Sequence, residues 1–239
     1  MLRFQWPAGG GPRAIDVGAL TPEQIDIEHI AHILARRPRW GGAFGKGFYS
    51  VAQHCVQMAQ TMLWKDAEPL WAPFISQARE HTNTVLWALL HDAAEAYLLD
   101  APRIVRERLV IIDDLAPLDL TSCDPEDWQM LSEIEARVLG IIMERFGLPA
   151  AMPDCVRRLD DMANEVELKV MSGRRDELTP TERIWFRQLL GINLDFRYWE
   201  RAYLATFEEL MVAREAANEH GEKKGEDDGE TQDRAPAGG

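Results

Sequence analysis

The sequence predicts an all-α fold, and three observations carry that expectation. Apolar residues recur at helical spacing from Asp26 to about His220, and no strand-like alternation follows residue 20. Pro125, Pro153 and Pro180 each stand near the start of a periodic stretch, while Gly147 and Gly173 stand where such stretches end. The N-terminus departs from this pattern. There Leu2, Phe4 and Trp6 alternate ahead of Gly9-Gly10-Gly11-Pro12, with Ile15 and Val17 beyond, a pattern that permits a short β-hairpin. Ile27, Ile30, Ala31 and Leu34 then mark one amphipathic helix, and Val51, Cys55, Met58 and Met62 mark the next. Further helices are expected over 78–98, 102–112, 125–146, 153–172, 180–190 and 195–218, with Asp124 and Thr179 as N-caps. Residues 219–239 hold only Ala235 and Ala237 as apolar side chains, so a disordered acidic tail is expected there. The expected organisation is an N-terminal segment over 1–24, a helical domain over 25–218 and that tail.

With 239 residues, 40 acidic and 26 basic, the chain is long enough for one well-buried core and carries a net charge of −14. Seven acids and three bases in the tail account for −4 of it. An average field of this sign repels phosphates, so neither polymeric nucleic acid nor an anionic membrane is the expected partner. A local basic pocket or a bound metal can still draw in one small phosphate ester. Cys55, Cys123 and Cys155 are isolated thiols without a CxxC spacing. They suit a reducing compartment and read as small buried apolar side chains. The first residues lack the basic start and apolar core of a signal peptide, and no apolar run reaches the roughly 18 residues of a membrane helix. A cytoplasmic location is therefore expected.

The most informative stretch is Leu89-Leu90-His91-Asp92-Ala93-Ala94-Glu95-Ala96-Tyr97. On a continuous helix, His91, Asp92 and Glu95 share about 100° of surface opposite the apolar side, so one polar stripe would present an imidazole and two carboxylates. A solvated face is the plain alternative. His54 sits about 60° from the centre of its helix's apolar stripe, where a hydrogen-bonded core histidine is the ordinary reading. Asp160 flanks the stripe of Val156, Leu159, Ala163, Val166 and Val170 by about 80°, whereas Asp161 points nearly opposite, toward solvent. A carboxylate at a core margin needs a partner, and a metal is one candidate.

Taken together, His54, His91-Asp92 and Asp160 resemble the H…HD…D signature of the HD-domain metal-dependent phosphohydrolases, over roughly residues 25–175. The chain is most similar to the branch holding the bacterial HD-domain 5′-deoxynucleotidases and the phage-type HD phosphohydrolases. Ile25 to Leu34 resembles the opening helix of the phage-type members, Phe48 to His54 their next signature, and His91-Asp92-Ala93-Ala94-Glu95 through Asp100-Ala101-Pro102 the HDxxE…D-x-P block.

The resemblance implies an HD-domain helical bundle with one divalent metal per site (Mn, Co, Zn, Fe, Ni or Mg), held by His54, His91, Asp92 and Asp160. Two imidazoles and two carboxylates form a mixed nitrogen and oxygen donor set that suits such ions and leaves room for water and a phosphate oxygen. It further implies Glu95 as the carboxylate that orients water and moves a proton, Asp100 as the acid that meets the sugar, and Arg39-Trp40 as the pair that contacts the nucleotide. Lys46, in the glycine-rich loop from Gly41 to Gly47, joins them as a substrate contact; a plain connector is the other reading of that loop. Gly42, Ala43 and Phe44 stand where phage-type members tend to carry a His and basic residues, which leaves mono- against triphosphate open. The implied function is hydrolysis of deoxynucleoside 5′-monophosphates. A dNTP triphosphohydrolase, a non-hydrolytic nucleotide or metal sensor and a helical interaction protein are the alternatives. Family members are often homodimers, and Phe196, Tyr198, Trp199, Tyr203 and Phe207 on the last helix supply either an interface or core. His29 and His32 read as structural; His81 and His220 carry no signal.

Overall fold

The structure, a computed structural model, describes residues 3–8, 11–43, 48–63, 78–98, 110–112, 128–180, 182–183 and 195–230. Among the described residues it is an all-α fold with two small antiparallel strand pairs. Strands β1 (Arg3–Ala8) and β2 (Gly11–Asp16) pair in the register Arg3↔Asp16 to Ala8↔Gly11, at the position expected from the alternating N-terminus. Short turns then lead into α1 (Ile27–Arg36), whose first turn is capped by the Asp26 carboxylate accepting from the Glu28 amide at 2.9 Å. Val17, Leu20 and Ile25 belong to the same core as the helices, so part of the segment before residue 25 is built into the domain.

Helix α2 (Val51–Leu63) is capped by Ser50, whose hydroxyl accepts from the Gln53 amide at 3.1 Å. It packs against α3 (Ala78–Leu90), and both pack against α6 (Phe196–Glu230). Between α3 and α6 in sequence lie β3 (Val110–Ile112), β4 (Trp128–Met130), α4 (Leu131–Arg145) and α5 (Asp154–Met171). Gly147 and Gly173, at φ +62° and +76°, end α4 and α5 in the left-handed conformation that glycine adopts without strain. Thr179 and Glu182 cap each other: the Thr179 amide donates to the Glu182 carboxylate at 2.7 Å and the Glu182 amide to the Thr179 hydroxyl at 3.2 Å.

Four boundaries differ from expectation. The helix expected over 78–98 stops at Leu90, and Ala93–Ala96 forms a separate 3-10 turn. Two carbonyls of its last turn are taken by side chains, Ala88 by the His91 imidazole (2.9 Å) and Leu89 by the Tyr203 hydroxyl (3.0 Å), which substitutes for continued helix. The stretch expected as helix over 102–112 ends in β3, where three consecutive β-branched residues favour extended backbone. It pairs with β4 in the register Val110↔Met130, so strand does occur beyond residue 20. Helix α4 accordingly starts at Leu131 rather than 125, its entry marked by the Met130 amide donating to Glu133 at 3.3 Å. Helix α6 runs to Glu230, twelve residues into the expected disordered tail: extending a formed helix needs no new nucleus and no apolar side chains. Asp124, Pro125 and most of 180–190 lie outside the described residues, as do residues 231–239.

On α6, Trp199, Tyr203 and Phe207 are buried in the core, which decides between the two readings for these three aromatics. Phe196 lies under the Arg36 guanidinium at 4.4 Å, while Tyr198 is exposed. No helix among the described residues is long and apolar enough to cross a membrane.

Candidate metal centre

Three separated elements deliver the site. His54 comes from the first turn of α2, His91 and Asp92 from the turn that ends α3, and Asp160 from the middle of α5. His91 and Glu95 are buried, so the solvated-face reading of this stretch does not hold, and the break at Leu90 means that no single helical stripe carries the three polar residues. The His54 ring is also fully buried. Its Nε2 lies 3.3 Å from His91 Nε2 and 3.2 Å from Asp160 Oδ1, and His91 Nε2 lies 3.6 Å from the same oxygen. Asp92 Oδ2 stands 3.3 Å from His91 Nε2.

The other nitrogen of each ring bears on whether the cluster could hold a cation. The Ala88 carbonyl can only accept, so His91 Nδ1 carries a proton toward it at 2.9 Å. His54 Nδ1 faces the Glu167 carboxylate at 2.9 Å and donates in the same way. In the neutral rings both Nε2 atoms therefore present lone pairs to each other and to Asp160, a grouping that repels itself until a positive charge lies among them. Two imidazole nitrogens and a carboxylate oxygen fit a first-row divalent metal. A proton is the competing cation. Burial is the largest single influence and opposes a charged His91, but the Asp92 carboxylate, Cys55 and the hydrogen bonds to Asp160 and Asp92 together hold the ring's pKa well above the ordinary imidazole value. Burial likewise raises the cost of a charged Asp160, yet hydrogen bonds from His54 and His91 keep its carboxyl far below the usual range. Cys55 also groups with His91 and Asp92. Burial pushes its thiol pKa up, which suits the small apolar role expected of it.

Arg39 and Trp40 enter from the segment between α1 and α2. That segment is closed at its base by two backbone bonds, Arg39 amide to Tyr49 carbonyl (2.8 Å) and Val51 amide to Arg37 carbonyl (3.0 Å). Arg37 ties it to the turn after α3 by donating to the Glu95 and Leu98 carbonyls. Arg39 is buried, with its Nη1 on Asp92 at 2.9 Å, its Nη2 on Asn164 at 2.8 Å and Asp160 at 3.5 Å, and its Nε on Glu167 at 2.9 Å. Burial disfavours its charge, and the carboxylates around it, Glu167 foremost, more than restore it. Trp40 adopts φ +56°, ψ 32°, a left-handed conformation that costs a side-chain-bearing residue roughly 1–3 kcal/mol. Its indole donates to Glu167 at 2.6 Å.

The structure thus joins His54, His91, Asp92, Asp160 and Arg39 by direct contact, and brings in Trp40 through Glu167. Glu95 stands one turn after Asp92, its amide on the Asp92 carbonyl at 3.0 Å. Lys46 and Asp100 lie outside the described residues. His29 packs on Tyr97 with ring centroids 5.3 Å apart and His32 pairs with Glu200 at 3.1 Å, both in structural settings as expected; Asp161 is exposed.

Glu167 is the site residue that the sequence reading missed. It has no exposed surface and receives Tyr49, His54, Arg39 and Trp40. The available signal was its spacing: Asp160, Asn164 and Glu167 fall within about 60° on α5.

The chain is 30% identical over 170 residues to an uncharacterized protein of Rhodobacter capsulatus, a match covering 71% of this chain and 72% of that one. The two belong to one family. No family model matches the chain.

Proposed function

We propose that this protein is a metal-dependent phosphohydrolase of the HD-domain kind, hydrolysing deoxynucleoside 5′-monophosphates to nucleoside and phosphate. The observation that carries the reading is the convergence of His54, His91 and Asp160 from three separate elements, with both Nε2 atoms turned toward one carboxylate oxygen and Asp92 beside them. These four residues would hold the divalent ion. The chemistry supplied by such an ion, when bound, is Lewis acidity toward a phosphoryl oxygen and a lowered pKa for water. Arg39 contributes a planar cationic fork suited to phosphate oxygens, and Trp40 a ring face suited to base or sugar. Glu95 is the group that takes a proton from the attacking water at its carboxylate and returns one to the leaving sugar oxygen. Lys46 and Asp100 complete the proposal as phosphate and sugar contacts.

Purified protein incubated with a panel of nucleotides and Mn²⁺ or Co²⁺ tests this directly. Phosphate release well above that of a His91→Ala/Asp92→Ala control is the expected result. Release at the control level with every metal and nucleotide would overturn it. Inorganic triphosphate as the product would replace the monophosphate substrate with a dNTP.

A further inference from the structure

The geometry points to Glu167 as the positioning residue that sets the metal-ligand side and the anion-binding side of the site together. Its two oxygens divide the work. Oε1 accepts from His54 Nδ1 at 2.9 Å and from the Tyr49 hydroxyl at 2.7 Å; Oε2 accepts from Arg39 Nε at 2.9 Å and from Trp40 Nε1 at 2.6 Å. A carboxylate offers about four lone-pair sites, and four donors meet them here with no water needed. Each contact has a separate consequence. The bond to His54 holds the proton on Nδ1 and so turns the Nε2 lone pair toward His91 and Asp160. The bond to Arg39 Nε fixes the guanidinium plane while Nη1 and Nη2 reach Asp92, Asn164 and Asp160. The bond to Trp40 helps hold the indole despite its left-handed backbone.

No other acidic or amide side chain can replace this arrangement at the same reach. Glutamine keeps one oxygen and puts an NH₂ where the other stood, so it faces two donors with a donor on one side or the other. If the amide nitrogen faces His54, the imidazole proton moves to Nε2 and blocks the metal side. If it faces Arg39 and Trp40, the anion side loses its anchor. The consequence for turnover rests on the phosphohydrolase reading; the consequence for the His54 ring does not.

The test uses the full chain and Glu167→Gln. Two-bond ¹⁵N correlation spectra of metal-free protein at about pH 8, above the ordinary imidazole value, report which nitrogen of His54 is protonated. The expected result is Nδ1–H in the wild type and a population of Nε2–H in Glu167→Gln, with Mn²⁺ affinity weakened about 10–100-fold. Tyr49→Phe should weaken Mn²⁺ binding alone, and Trp40→Phe should weaken inorganic phosphate binding to the Mn²⁺-loaded protein alone. A folded Glu167→Gln with the wild-type tautomer, wild-type Mn²⁺ affinity and wild-type inorganic phosphate binding overturns the inference, as does a wild-type His54 protonated on Nε2. The second outcome is readable even if Glu167→Gln fails to fold. Wild-type protein that binds no Mn²⁺ counts against the phosphohydrolase reading, while the tautomer spectra still decide the role of Glu167.

Discussion

His54 and Glu167 meet at 2.9 Å, Nδ1 to Oε1, from helices 113 residues apart in sequence, with neither side chain exposed to solvent. Neither residue would be stable there alone, because a buried carboxylate needs donors and a buried imidazole needs its proton placed. Burial works against the charged Glu167, but Arg39 first and His54 next hold its pKa down to about 2.

That depression makes a pH prediction with a definite sign. Glu167 has an ordinary value of 4.5 and a folded value of about 2, so its contribution is fully present above pH 4.5 and is lost as pH falls through the folded value. The contribution is on the order of 3 kcal/mol, and most of it is gone by about pH 3. The midpoint gap between wild type and Glu167→Gln, measured by thermal unfolding, should therefore stay level from neutral pH to about pH 5 and narrow from there to about pH 3. A gap that stays constant across that range would show that the carboxylate's charge is not what stabilises the fold.

Divalent metal should stabilise the folded chain through the same cluster. A ligand at a hundred times its dissociation constant adds about 2.7 kcal/mol, equivalent to roughly 5–10 °C for a protein of this size. Scanning fluorimetry with Mn²⁺, reversed by EDTA, reads this shift. Asp160→Ala should abolish it, since Asp160 Oδ1 is the oxygen that both Nε2 atoms face. The shift should also shrink on acidification, as protons compete for His91. An unchanged shift in Asp160→Ala would move the metal elsewhere.

These residues were unequally legible in the sequence. His54, His91-Asp92 and Asp160 could be singled out because imidazoles and carboxylates at helix margins are residue types that need a partner. Glu167 could not, because a glutamate beside an apolar stripe is ordinarily a solvated margin. What buries it is the arrival of donors from Arg39, Trp40, Tyr49 and His54, a tertiary event whose local trace is no more than a shared side of α5 with Asp160 and Asn164. The end of α3 was hidden for a similar reason: Ala93, Ala94 and Ala96 favour helix, and the break at Leu90 accompanies His91 and Tyr203 bonding the last carbonyls. The continuation of α6 to Glu230 was hidden because counting apolar side chains measures packing, not propagation.

Arg39 occupies the ground between two of the proposed ligands, bonding Asp92 at 2.9 Å and Asp160 at 3.5 Å. Arg39→Ala leaves buried carboxylates uncompensated, a loss of roughly 3–5 kcal/mol in metal-free protein. Metal should then rescue the variant more than it stabilises the wild type, because the cation replaces charge that Arg39 no longer supplies. Comparing the Mn²⁺-induced midpoint shifts of the two proteins checks this. Equal shifts would mean that Arg39 and the metal do not share Asp92 and Asp160. Arg39→Lys should recover only part of the stability, since one ammonium cannot reproduce a fork that reaches Glu167, Asp92 and Asn164 at once.

The proton-transfer role proposed for Glu95 separates chemistry from binding. Glu95 is buried on the Ala93–Ala96 turn, its carbonyl held by the Arg37 guanidinium and its amide by the Asp92 carbonyl, so its backbone position does not depend on its side-chain charge. Glu95→Gln should accordingly lower phosphate release by about 10²–10⁴-fold while leaving Mn²⁺ stoichiometry as it is in the wild type. Asp92→Ala, in contrast, should lose metal and turnover together. Single-turnover phosphate release at saturating nucleotide, read beside elemental analysis of each variant, distinguishes the two. If Glu95→Gln turns over at the wild-type rate, another group moves the proton; if it loses its metal, Glu95 is a ligand rather than an acid–base group.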